Sequence, residues 1–67
     1  MISFAKEIRA IRKGMHLSQT ALAMRAGVSH VTICAIEREK RTPSVYMAQT
    51  LLDAMGYELR IVKKGAR

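Results

Sequence analysis

Residues 19–38, QTALAMRAGVSHVTICAIER, constrain the fold of this chain more than any other stretch. They read as two short helices laid across each other at a tight turn. Two helices crossing at about 90–120° approach closely only where the crossing residue is small, and Ala23 stands at that place. Gly27 follows where the first helix must end, because the left-handed backbone wanted there penalises a β-carbon. Ser29, two residues on, has a hydroxyl that can accept from the first free N–H groups of the second helix. Leu22, Ala26, Val28, Ile33 and Ile36 fill the places that such a pair must bury, with Ile33 and Ile36 recurring at helical spacing.

This is the sequence form of a helix-turn-helix, whose second helix is shaped to enter the DNA major groove. Further marks surround it: Arg12 and Lys13 ahead of a loop, then Leu17, Ser18 and Gln19, and beyond the second helix Ile36, Glu37, Arg38, Lys40, Arg41 and Pro43. Over roughly residues 8–55 the chain resembles the lambda repressor/Cro-type helix-turn-helix domains, also called Xre-like. One place departs from that pattern. The family usually has glycine between the Glu-Arg pair and the following lysine, and here that place is Glu39. Either Glu39 takes a positive φ, or the helix runs further until Pro43 stops it. A carboxylate there also opposes any nearby phosphate.

Composition agrees with a polyanion as partner. The 67 residues allow one domain, and a domain this small buries only about 60% of its unfolded surface, so a partner would help it. Twelve Lys and Arg against five Asp and Glu give a net charge of +7, which favours nucleic acid. No apolar run approaches the roughly 18 residues that span a membrane, the N-terminus lacks a signal-peptide pattern, and a membrane-surface role explains none of the turn chemistry. With one cysteine there is no internal disulfide, which suits a reducing cytoplasm.

The expected fold is all-α: a lambda-repressor-like domain of four helices over residues 1–56, followed by a C-terminal β-strand and basic tail over residues 57–67. Ser3 caps a first helix over residues 4–13, with Phe4, Ile8 and Ile11 inward, Lys6, Glu7, Arg9 and Lys13 outward, and Gly14 as its end. The second helix spans residues 18–26 and the third residues 30–38. Ser44 caps a fourth over residues 45–55, with Val45, Ala48, Leu51, Leu52 and Met55 inward and Gly56 as its stop. Tyr57, Glu58, Leu59, Arg60, Ile61, Val62 and Lys63 then alternate apolar and polar residues, the pattern of a strand. No other segment reads as its partner, so the expectation is antiparallel pairing with a second copy about a two-fold axis, through Tyr57, Leu59 and Ile61. Many phage-type relatives close with a fifth helix instead, and this ending resembles the HipB-like antitoxin branch, where C-terminal strands join the dimer.

The outward residues of the third helix supply the DNA-facing work. The first turn of such a helix points into the groove, so His30 and Val31 are the first to meet base edges, and the family resemblance adds Ala35 one turn on. His30 can donate to guanine N7 or O6, while Val31, Thr32 and Ala35 carry methyl groups suited to the thymine methyl. Few strong donors means modest base discrimination, with reliance on DNA shape. Phosphate contacts are expected from the hydroxyls of Ser29 and Thr32 and from the basic loop Arg38, Lys40, Arg41 and Thr42. The resemblance implies a further backbone contact from Gln19, and a structural ion pair between Arg12 and Glu37.

Other chemistry lacks its parts. His16, His30 and Cys34 match no zinc spacing and have no fourth ligand, so neither metal nor cofactor is expected. Cys34 has no resolving partner for a redox switch. No nucleophile, base and orienting group come together, so the chain reads as a binding module and not an enzyme. The expected function is a homodimeric regulator on a palindromic operator in double-stranded DNA, repressing its own operon from the cytoplasm. Its rivals are an antitoxin that also neutralises a protein toxin, and a protein-interaction module without DNA binding.

Overall fold

Four serines start the four helices of the computed structural model, which describes residues 3–60 and residue 65. The elements run α1 (Phe4–Gly14), α2 (Gln19–Ala26), α3 (His30–Glu37) and α4 (Val45–Ala54). Ser3, Ser18, Ser29 and Ser44 are the N-caps. Their Oγ atoms accept from the N–H groups of Lys6 at 3.4 Å, Ala21 at 2.9 Å, Thr32 at 3.1 Å and Met47 at 3.0 Å. Each bond satisfies one donor that a helix start leaves free, worth about 1 kcal/mol. Ser18, expected as the first residue of its helix, stands just outside it as the cap.

The helix ends share one device. His16, Gly27, Glu39 and Gly56 adopt φ of 58°, 72°, 59° and 82°, the left-handed region. Beyond each, an N–H reaches back five residues to a free carbonyl: Leu17 to Arg12 at 3.1 Å, Val28 to Ala23 at 3.0 Å, Lys40 to Ala35 at 3.0 Å and Tyr57 to Leu52 at 2.9 Å. This is the closing bond of the Schellman motif. Gly14 is the last residue of α1, and the left-handed turn falls two residues later at His16, not at the glycine. At Glu39 the positive φ is realised, and α3 stops at Glu37.

The core forms where α2 packs on α3 and α4, and where α1 packs on α3. Ile8, Leu22, Ile33, Ile36 and Leu51 are fully buried, each contributing about 1.5–3 kcal/mol by leaving water. Ala23, at 3% exposure, marks the close approach expected at the crossing, and Leu52 and Met55 complete the cluster. Val45 departs from the inward stripe and is 67% exposed, whereas Met47 packs against the core. Periodicity sets the direction of a side chain, not whether a neighbouring element stands opposite it, and a long thioether reaches further than a valine.

Among the described residues the expected C-terminal strand is not present. Every regular element among the described residues is a helix, residues 57–60 form neither strand nor helix, and Ile61, Val62 and Lys63 lie outside the described residues. A strand exists only as one side of a hydrogen-bonded ladder, and the Tyr57 N–H is committed to closing α4. Among the described residues no helix is long and apolar enough to cross a membrane.

Candidate nucleic-acid interface

Helix α3 is held in one roll angle by Ile33 and Ile36, which are buried. That leaves the remaining side of the helix outward. His30 is exposed, Val31 is 73% exposed, and Thr32, Cys34 and Ala35 are half-buried. The Thr32 and Ser29 hydroxyls lie 2.8 Å apart, so both take part in the cap as well as facing the start of the helix. His30, Val31, Cys34 and Ala35 line a concavity of about 250 Å³ together with Arg38 and Lys40. Methyl, sulfur and imidazole surface beside two cations suits a base edge and the phosphate attached to it.

A second concavity, of about 280 Å³, lies between α1, the start of α2 and the end of α3 and is lined by Arg9, Arg12, Gln19, Glu37 and Arg38. Arg12 and Glu37 form the ion pair that the family resemblance implied. Arg12 donates from Nε to Glu37 Oε2 at 2.7 Å and from its terminal nitrogens to Glu37 Oε1 at 2.8 Å and the Leu17 carbonyl at 2.8 Å. The two side chains are 9% and 4% exposed. Gln19 Nε2 also donates to Glu37 Oε1, at 3.1 Å. Burial pushes the Glu37 carboxyl up, but the hydrogen bonds from Arg12 and Gln19 and the charges of Arg12 and Arg9 outweigh it and hold the group below its ordinary value. The same hydrogen bond holds the Arg12 guanidinium above its ordinary value against the opposing effect of burial.

The loop after α3 carries Arg38, Lys40, Arg41 and Thr42, all exposed. Arg41 and Thr42 line a third concavity of about 220 Å³ against the start of α1. There the Ser3 hydroxyl donates to Glu39 Oε1 at 3.2 Å, joining the start of α1 to the turn after α3. Of the residues expected to meet phosphate, Lys40 lines the first concavity, Gln19 the second, and Arg41 and Thr42 the third, with Arg38 common to the first two, while Ser29 and Thr32 stand at the cap of α3. From sequence, Arg9 is only an outward residue of α1. Its signal was its place one turn before Arg12 on the same face of α1. Tyr57 and Leu59 are 51% and 39% exposed, and Ile61 lies outside the described residues. Among the described residues no three His, Cys, Asp or Glu side chains gather as a metal site would need.

Comparison with known proteins agrees with this geometry. Residues 8–62 match the helix-turn-helix family. The chain is 41% identical over 51 residues to an uncharacterized HTH-type transcriptional regulator of Methanothermobacter thermautotrophicus, covering 76% of this chain and 74% of that protein. It superposes on a solved structure assigned to the XRE family of transcriptional regulators with a TM-score of 0.74 and 31% identity, over 96% of this chain and 76% of the other. A crossing at Ala23, a left-handed turn at Gly27 and an outward-facing α3 are what such a match requires, and the chain belongs to the XRE-type helix-turn-helix family.

Proposed function

We propose that the protein is a sequence-specific regulator of transcription that binds double-stranded DNA through α3 and represses its own operon. The observation that carries this reading is the outward side of α3. An exposed His30 and Val31 stand at its first turn, and Arg38 and Lys40 border the same concavity. Bases are read by the first pair and by Ala35, and the cations take the flanking phosphates. Two copies on a palindromic site set their α3 helices about 34 Å apart, in successive major grooves. The exposed side chains of Tyr57 and Leu59 offer apolar surface to the second copy.

The test is fluorescence anisotropy with the protein's own upstream DNA and a scrambled duplex, across a salt series. A specific autoregulator prefers the upstream duplex by about 1,000-fold or more and loses affinity steeply with salt. Weak binding without preference would reject it in favour of a protein partner. The antitoxin alternative leans on a C-terminal strand, and no strand is present among the described residues.

A further inference from the structure

The concavity between α1, α2 and α3 holds three guanidinium groups against one carboxylate. Arg12 is spent inside the fold, its donors placed on Glu37 and the Leu17 carbonyl. In return it neutralises Glu37, which would otherwise repel an anion from the floor of the cleft. Two positive charges remain, on Arg9 and Arg38. Neither forms an ion pair among the described residues, where the pairs are Arg12 with Glu37 and Arg60 with Glu58. Gln19 adds a donor, since its amide nitrogen carries two hydrogens and one is placed on Glu37. Two guanidinium forks and an amide around a cleft of about 280 Å³ match the planar, bidentate recognition that phosphate oxygens favour.

We infer that Arg9 of α1 is a DNA-backbone contact, closing with Gln19 and Arg38 a three-helix seat for one phosphodiester. The seat rests on the DNA-binding reading above and extends it, because it brings α1 into the interface. A duplex strand is the source of the phosphate, for Arg38 also borders the base-facing concavity of α3, so one strand crosses from the reading helix into the cleft.

The experiment compares the salt dependence of binding by the wild type, Arg9→Gln, Arg9→Lys and, as a control, Arg25→Gln, whose arginine lies on the exposed last turn of α2. Each neutralised phosphate contributes a slope of about 0.9 in log K against log[salt], or about eightfold at 0.1 M relative to 1 M. Arg9→Gln is expected to lower affinity for upstream and scrambled duplexes alike by about that factor and to flatten the slope by about one unit. Arg9→Lys keeps most of the slope, Arg25→Gln keeps all of it, and the melting temperature of Arg9→Gln matches the wild type. An Arg9→Gln slope equal to that of a salt-sensitive wild type overturns the seat and leaves DNA binding intact. A wild type whose binding ignores salt overturns the DNA-binding reading, and the seat with it.

Discussion

His16 and Glu39 hold φ of 58° and 59°, where an L side chain crowds the following carbonyl at a cost of about 1–2 kcal/mol. Glycine relieves that crowding but gives back part of the gain through the entropy of the unfolded chain, about 0.5–1 kcal/mol. His16→Gly is therefore expected to stabilise the fold by about 0.5–1 kcal/mol and raise the melting temperature by about 3–6 °C in thermal unfolding. Glu39→Gly gains less, because it gives up the 3.2 Å bond from the Ser3 hydroxyl. The reverse change, Gly27→Val, is expected to lose more than about 1 kcal/mol. Nothing lies within 4 Å of a β-carbon added there, so the loss is a property of the backbone and not a clash. A melting temperature that stays put in all three variants would separate these turns from the stability of the fold. Gly27 was legible in the sequence because its neighbours fixed the register of the turn. Gly14 misled, because a helix closes wherever its last carbonyls find donors, and two residues later histidine accepts the same geometry.

At the scale of elements, the Arg12–Glu37 pair ties α1 to α3, and the Gln19 bond draws the start of α2 into the same knot. Because the folded carboxyl of Glu37 lies below its ordinary value of 4.5, the unfolded chain binds the proton more readily. The stability it contributes is complete at pH values above that number and is lost as pH falls through the folded value. Thermal melts between about pH 6 and pH 3 should show this loss. Glu37→Gln is expected to melt lower at the upper pH and to decline less on acidification; a decline as steep as that of the wild type would assign the acid sensitivity to other groups. This pair was legible only through family resemblance, for no periodicity tells an arginine on α1 which carboxylate it meets. The four helices and the inward Ile8, Leu22, Ile33, Ile36 and Leu51 were legible from spacing alone. Val45 was not, since its stripe is right but no core residue packs on it.

The whole molecule carries a net charge of +7, and its binding energy should divide between a uniform attraction to phosphate and a smaller reading of bases. Arg41→Ala tests that division. It is expected to weaken binding to every duplex alike and to flatten the salt slope by about one unit; a change confined to which sequence is preferred would move Arg41 from the backbone to the bases. The end of the chain was the part least legible at this scale. Alternation at residues 57–63 specifies two faces, but a strand also needs a ladder partner, and that information is not local.

The Gln19 amide is already fixed on Glu37 before any duplex arrives. A glutamine left free loses about 1.5–2 kcal/mol of rotamer freedom when a ligand immobilises it, and here folding has settled that loss in advance. On the DNA-binding reading proposed above, the start of α2 would meet a duplex already ordered, and encounter rather than rearrangement is expected to set the pace of association. Replacing Gln19 by a longer, untethered cation would exchange that readiness for charge: tighter grip on any polyanion, less discrimination of shape.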